Sequence, residues 1–380
     1  MLSDSQILLR DSARDFAQKH LAPHAAQRDR DGHAPRAMLN ELAALGYLGM
    51  LLPAEYGGAG LDYVSYALVI GEIAAADGAC STTVSVHNSL ACRPILNYGN
   101  DAQKQLYLPA MARGDMLGAF GLTEPEAGSD ASALRTRAQR DGEHYVLNGT
   151  KQFITSGSSA DIAIVFAITD PQAGKRGVSA FIVPTETPGY EVASIERTMG
   201  QRGWDHCQLA FRDCRVPVEN MLGSEGQGLT IALSNLETGR IGVAAQAFGM
   251  ARAAYEFALA YAGERRSFGK AIFEHQAVAF RLADMATQLQ AAELMILAAA
   301  RLRDAGLPCL KEASMAKLFA TEMAERVCSD AMQTLGGYGY LADFPLERIY
   351  RDVRVCKIYE GTSDIQRLVI SRQIAPSRAA

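Results

Sequence analysis

The hydrophobic repeat changes period twice along this chain, and that constrains the fold more than any other feature of the sequence. Up to about residue 118, apolar residues recur every three or four positions over 5–20, 37–45 and 63–76, a spacing that predicts helices. Pro53 and Gly57-Gly58-Ala59-Gly60 punctuate a loop between the second and third. From about Gly118 to Gly223 the apolar residues fall instead into short β-rich runs: Tyr145-Val-Leu, Ile162-Ala-Ile-Val-Phe-Ala-Ile, Val178-Ser-Ala-Phe-Ile-Val and Leu209-Ala-Phe. Asp-Gly, Asn-Gly and Pro-Gly signals separate them. After Gly228 the helical period returns in longer pieces. Leu282, Met285, Leu289, Ala292, Ile296 and Ala299 mark the buried seam of a helix over 276–303, about 40 Å long at 1.5 Å per residue. Gly306 and Pro308 end it, and Gly336-Gly337 end the next near Leu335. The chain therefore reads as α+β and mainly helical. It is expected to divide into an N-terminal helical domain at 1–118, a central β domain at 119–227 and a C-terminal helical bundle at 228–380, with a frayed tail from 375.

Composition narrows the function classes. The chain has 380 residues, ample for a sizeable core, with 48% hydrophobic and 21% charged residues. The net charge is −5 with both signs interspersed, which lacks the basic footprint that nucleic acid requires. Seven scattered cysteines without a C-x-x-C pair argue for reduced thiols rather than a disulfide framework or a zinc site, and no metal centre is expected. The N-terminus lacks a basic segment and a cleavage site, so no secretory signal or transit peptide is expected. The longest apolar run, 294–300, falls far short of the ~20 residues that span a bilayer, so a soluble, cytoplasmic, bacterial-type protein is expected.

One segment concentrates chemistry. In Tyr359-Glu360-Gly361-Thr362-Ser363-Asp364-Ile365-Gln366, a carboxylate stands between an aromatic ring and a glycine, directly before a helix start. Ser363 with Gln366 reads as a capping box, placing a helix over 364–374 and Glu360 on a tight connection. Gly361 allows close approach to the backbone. Taken alone, the segment reads as a helix cap with a solvated Glu beside it. Gly336-Gly-Tyr-Gly-Tyr-Leu follows a helix rather than a strand, so it reads as a C-cap, and no G-x-G-x-x-G opens a helix after a strand.

The segment from Lys357 to Leu368 resembles the C-terminal signature of the acyl-CoA dehydrogenases. Four further segments resemble that family in its own order and spacing: Leu122-Thr-Glu-Pro-Glu-Ala-Gly-Ser-Asp130, Leu147-Asn-Gly-Thr-Lys-Gln-Phe-Ile-Thr155, Arg265-Arg-Ser-Phe-Gly-Lys270 and Gln333-Thr-Leu-Gly-Gly-Tyr-Gly-Tyr340. Lys311 to Lys317 adds a likeness to the short-chain and short/branched-chain members. The resemblance covers essentially the whole chain. It implies a helical, β and four-helix-bundle fold with FAD between the β and C-terminal domains. It implies conversion of a short or short-branched acyl-CoA to the trans-2-enoyl-CoA, with electrons leaving to an electron-transferring flavoprotein. A same-fold oxidase, or a flavin-bound scaffold without turnover, are the alternatives.

The resemblance also implies residue roles. Glu360 is the α-proton base, the flavin N5 accepts the β-hydride, and the Glu360 backbone N–H with a flavin hydroxyl holds the thioester oxygen. Phe120, Leu122, Thr123, Gly128 and Ser129 surround the flavin loop, with Ser129 also touching substrate. Phe153, where many members carry Trp, stacks near the flavin ring, and Thr155 hydrogen-bonds near N5; as an isolated strand these two read as core packing. Arg265, Phe268, Gln276, Gln333 and Gly337 reach a neighbouring subunit's cofactor, which implies a homo-oligomer, a tetramer by the family pattern, and Gly336 is a further cofactor position. Read alone, Arg265-Arg266 is an exposed basic turn. Thr362 and Asp364 are further cofactor positions, and Glu237, Gly239, Arg240 and Gly361 line the substrate. Some relatives place their base at the position of Gly239, which here has no side chain. Glu126 replaces a common Gly, so its carboxylate must point away from the phosphates.

Overall fold

The computed structural model describes residues 1–375; the expected tail therefore lies almost wholly outside the described residues. Seven helices come first: α1 (Asp4–Phe16), α2 (Ala22–Asp31), α3 (Arg36–Ala44), α4 (Tyr63–Ala76), α5 (Gly78–Val86), α6 (Arg93–Tyr98) and α7 (Asp101–Ala112). Short polar side chains set several starts. Ser3 and Asn100 form capping boxes with Gln6 and Gln103, and Asp62 caps α4.

A sheet follows, built from β1 (Gly118–Gly121), β2 (Arg137–Asp141), β3 (His144–Thr155), β4 (Ile162–Ile168), β5 (Val178–Pro184), β6 (Tyr190–Ile195), β7 (His206–Pro217) and β8 (Met221–Leu222). Its order is β6-β7-β3-β2-β4-β5-β8, with β1 parallel to β4 beside that path. The sequence signals mark β3, β4, β5 and β7 but not β1, β2, β6 and β8. β6 has no buried residue and β8 is two residues long, so neither carries a pattern of burial to read.

The last part contains α8 (Gly228–Glu264), a hairpin of β9 (Arg266–Ser267) and β10 (Lys270–Ala271), then α9 (Gln276–Asp304), α10 (Leu310–Leu335), α11 (Leu346–Val353) and α12 (Ser363–Ile374). α8 begins at Gly228, so Glu237 to Arg240 lie about three turns inside it. One start differs from the sequence reading. Thr362, not Ser363, caps α12: its Oγ1 accepts from the Ile365 N–H at 3.4 Å. Gln366 does not complete a capping box, because its amide is drawn to the carbonyls of Glu360 and Gly361.

The helices before and after the sheet share one core, in which Tyr66, Ile70 and Ile73 pack with Val243, Met250, Met285 and Val327. One face of the sheet packs Ile164, Phe166 and Ile182 against Leu108 and Met111, while the other buries Val165, Phe181, Leu209 and Phe211. α8 is the element common to two of these cores: Leu229 and Ile231 sit under the sheet, and Ile241 onward enters the helical core. Among the described residues no helix is long and apolar enough to cross a membrane.

Close backbone approach fixes the α4–α8 crossing. A Cβ on Gly249 would stand 2.1 Å from the Gly71 carbonyl oxygen, which cannot move without shifting α4. Gly249→Ala is therefore expected to destabilise by about 1–3 kcal/mol. Gly263→Ala, in the same helix but with nothing within 4 Å of the new methyl, is expected to be neutral or slightly stabilising. Thermal midpoints of the two variants measure the difference.

Candidate functional site

Glu360 sits at φ 51° and Gly361 at φ 94°, two successive residues in the left-handed region. Glycine adopts it freely; a Glu there needs its surroundings to hold it. Gln366 supplies part of that hold, donating to the Gly361 carbonyl at 2.8 Å and to the Glu360 carbonyl at 3.3 Å. Tyr359, one residue back, donates its hydroxyl to Gln246 of α8 and stands 3.2 Å from the Cys356 sulfur.

This geometry turns the Glu360 side chain towards α8. A Cβ on Gly239 would lie 2.0 Å from Oε2 of Glu360, so the carboxylate fills the space that the glycine leaves. The residue as a whole is half-buried, yet Oε2 is sealed from solvent and has no hydrogen-bond partner. Burial raises the carboxyl to about 7, against the pull of Lys317 and Arg240. Arg240 is itself buried; its Nη1 donates to Ser314 at 3.2 Å, while its Nε has no partner. Glu237 faces the start of α10 instead, where the Cys309 thiol donates to it at 3.7 Å. Glu360, Gly361, Gly239 and Arg240 are thus brought together, and Glu237 points elsewhere on the helix.

A second group forms where β1 and β3 meet the loop between them. Lys151 is fully buried and bridges Glu124 at 2.7 Å and the Leu122 carbonyl at 3.2 Å. Glu124 also accepts from the backbone N–H groups of Arg135 and Thr136. Burial works to raise the Glu124 carboxyl, but Lys151 and these donors hold it below the ordinary range, so the pair stays ionised. The Gln152 N–H donates to the Thr123 carbonyl at 2.8 Å. This ties Leu122 and Thr123 to β3, with Phe120 beside them on β1. Gly128 and Ser129 are exposed beyond them. Glu126 is exposed and pairs with Arg135 at 2.5 Å.

Phe153 is not core. A register shift between Lys151 and Ile154 puts Phe153 at φ 59° and leaves its ring 66% exposed, while Ile154 is buried. Thr155 lies within 3.2 Å of His206 Nδ1, a neighbour that the sequence reading missed because His206 sits on the separate strand β7. Lys151, Lys317, Ser314, Gln246 and Gln366 were also missed as site residues. Each lies inside a regular element, and only tertiary pairing shows what it touches.

A third patch is exposed. The β9–β10 hairpin presents Phe268 at 93% exposure, and the Arg265 guanidinium lies 5.5 Å over the Tyr338 ring. That contact places Arg265 beside the segment that holds Gly336 and Gly337. Gln276 and Gln333 are exposed too. Thr362 serves as the α12 cap, and Asp364 is exposed and paired with Arg367 at 3.0 Å.

Family models now decide the kinship. "Acyl-CoA dehydrogenase, N-terminal domain" matches residues 3–115, the "middle domain" 119–214 and the "C-terminal domain" 226–375. The chain belongs to the acyl-CoA dehydrogenase family. It is 45% identical to the short-chain specific acyl-CoA dehydrogenase of mouse mitochondria over 99% of this chain and 91% of that one. Butyryl-CoA dehydrogenase of Megasphaera elsdenii superposes with a TM-score of 0.96 at 42% identity, covering 98% of both chains. A chain solved in work on the electron transferring flavoprotein of Acidaminococcus fermentans superposes at 0.97 with 45% identity, again over 98% of both. The protein is an oxidoreductase of this family, and FAD is its cofactor.

The residues present fit that cofactor. The aromatic face of Phe153 stands clear of the sheet, and a Cβ on Gly128 would meet nothing within 4 Å. Of the loop's three carboxylates, Glu124 and Glu126 are paired with cations, and Asp130 accepts from the Ser132 N–H and hydroxyl.

Gly239→Ala tests the packing around Glu360. The new methyl meets the end of a flexible side chain, so the fold and flavin content are expected to persist while the carboxylate swings away. A displacement of that size is expected to slow flavin bleaching by acyl-CoA about 10²-fold. Anaerobic stopped-flow mixing with butyryl-CoA measures it.

Proposed function

We propose that this enzyme dehydrogenates short, linear or singly branched acyl-CoA thioesters to trans-2-enoyl-CoA, with Glu360 as the base that takes the α proton. The observation that carries the reading is the sealed, partnerless carboxyl oxygen of Glu360 pressed against Gly239. An ordinary carboxylate near pKa 4.3 is too weak a base for a thioester α proton. Burial that lifts this one to about 7 brings it close to working pH, where a general base is most effective. The Glu360 backbone N–H is the protein's donor to the thioester oxygen as negative charge develops there. Tyr359, anchored on Gln246, helps keep water from the carboxylate.

FAD supplies the acceptor for the β-hydride. Phe120, Leu122, Thr123, Gly128, Ser129, Phe153 and Thr155 are the residues we assign to it within one subunit. The exposed patch of Arg265, Phe268, Gln276, Gln333, Gly336 and Gly337, with Thr362 and Asp364, is assigned to cofactor contacts that a homo-oligomer completes, a tetramer by family analogy. Ser129, Glu237, Gly239, Arg240 and Gly361 are assigned to substrate, although Glu237 faces Cys309. Electron-transferring flavoprotein is the proposed acceptor, supported by the third similarity above. A cytoplasmic location is supported by seven unpaired cysteines. Domain limits at 118/119 and 227/228 are supported by the change of element type around Gly118 and Gly228.

Glu360→Gln preserves volume and the backbone N–H while deleting the proton acceptor. It is expected to retain flavin and acyl-CoA binding and to slow bleaching by about 10²–10⁴-fold or more. Bleaching within tenfold of the parent rate removes Glu360 from the role. A second check uses pH. The base works ionised, so the rate is expected to fall as pH drops through about 7 and to level off above it. An acid limb centred near the ordinary carboxylate value contradicts the buried-base reading.

A further inference from the structure

Lys317 is fully buried in α10, and the mechanism above gives it no part. Sealing an ammonium inside a protein is costly unless its charge and its donors are answered. The Lys317 Nζ donates to the Gly361 carbonyl oxygen at 2.7 Å. That oxygen also accepts from Gln366 at 2.8 Å, so two donors from two helices converge on the peptide between Gly361 and Thr362, one residue beyond Glu360. This is the stretch where the backbone holds two consecutive positive φ angles, 51° and 94°. Ser314, one turn before Lys317 on α10, receives the Arg240 guanidinium, so α10 anchors both cations that act on the Glu360 carboxyl.

We propose that Lys317 is a positioning residue for the reaction: its Nζ clamps the Gly361 carbonyl so that Glu360 keeps its left-handed conformation, and its charge favours the ionised carboxylate. The inference rests on Glu360 as base for its catalytic meaning, but not for its electrostatics. The groups around the pair come from several elements. Glu360 meets the charge of Lys317 from α10 and of Arg240 from α8, and it acts in turn on the Tyr66 hydroxyl of α4. Glu237 acts on Arg240, and Cys356 and Glu322 act on Lys317. Of the two cations Lys317 has the larger effect on Glu360. Burial lowers Lys317 to about 8 and raises Glu360 to about 7, and the charge of each opposes the shift of the other. Removing the ammonium disfavours the carboxylate, and the Glu360 midpoint must then move up.

The test compares Lys317→Met, which deletes bond and charge in similar volume, with Lys317→Arg, which keeps the charge. If Lys317→Met does not fold, Lys317→Gln takes its place. Two measurements are made on the flavin-loaded protein. One is a carbon-13 NMR titration of δ-carboxyl-labelled glutamate, with Glu360→Gln identifying the resonance. The other is the pH profile of flavin bleaching by butyryl-CoA. In Lys317→Met the Glu360 midpoint is expected to rise by about one pH unit or more. The acid limb of the rate is expected to move with it, and the limiting rate to fall about tenfold or more as the loop loosens. Lys317→Arg is expected to restore the midpoint. A midpoint and acid limb unchanged in Lys317→Met, with Glu360→Gln inactive, overturn the Lys317 inference alone. If Glu360→Gln still bleaches the flavin, the base assignment has failed, and the NMR midpoint still decides whether Lys317 governs the carboxyl.

Discussion

Everything at this site depends on one carboxylate held out of water in the gap left by a missing side chain. Glu360 Oε2 has no partner, and the atom it would strike is the Cβ that Gly239 lacks. The gap exists only while α8 stays in register with the loop before α12. The same helix is pinned at two further points along its length. A Cβ on Gly242 would lie 2.7 Å from the Tyr66 hydroxyl, and one on Gly249 would lie 2.1 Å from the Gly71 carbonyl oxygen. Three glycines therefore bring α8 against α4 and against the loop before α12. Close-packed interiors do not deform continuously, so this placement transmits small shifts directly to the carboxylate.

The sheet side obeys a different constraint. Lys151 and Glu124 form a buried ion pair, and such pairs contribute little net stability compared with apolar side chains of the same shape. What the pair contributes is geometry. Its cation reaches the Leu122 carbonyl and its anion holds two N–H groups of the 135–136 segment, so the loop between β1 and β2 is tied at both ends. The bulge that turns Phe153 outward begins at the same lysine. Loop and aromatic ring are thereby fixed relative to one another by a single buried charge.

Much of this was legible in the sequence. The helical, β and helical sequence of periods gave the fold class, and the stripe from Leu282 to Ala299 marks a helix observed over Gln276–Asp304. The motif residues around Glu360, Thr123 and Phe153 lie in the loop before α12, the loop after β1 and strand β3. The sequence could not show the rest, because it depends on pairing between distant elements. Phe153 reads as core until a bulge with positive φ turns it out. Ser363 reads as a cap until Thr362 takes the N–H and Gln366 is drawn to the carbonyls behind it. Lys317 closes a segment that carries family likeness but no role; only its contact with Gly361, 44 positions on, gives it one.

The raised carboxyl has a thermodynamic consequence that follows from linkage. Between the ordinary value of 4.5 and about 7, the folded chain keeps a proton on Glu360 that the unfolded chain has released. The folded state then binds more protons, so this group's contribution to stability falls as pH rises through that interval and is lowest above it. The loss is on the order of 3 kcal/mol, since each pKa unit corresponds to about 1.4 kcal/mol. The site is thus least favourable to folding in the pH range where Glu360 is ionised, the state that its proposed role as base requires. Lys317 and Arg240 limit that conflict, because each opposes the effect of burial and keeps the carboxyl from rising further. They also limit basicity by the same amount. For the proposed base, a carboxyl at about 7 is where these two demands meet: removing either cation gives a stronger base that is ionised less often, and adding solvent gives a stable carboxylate that is too weak.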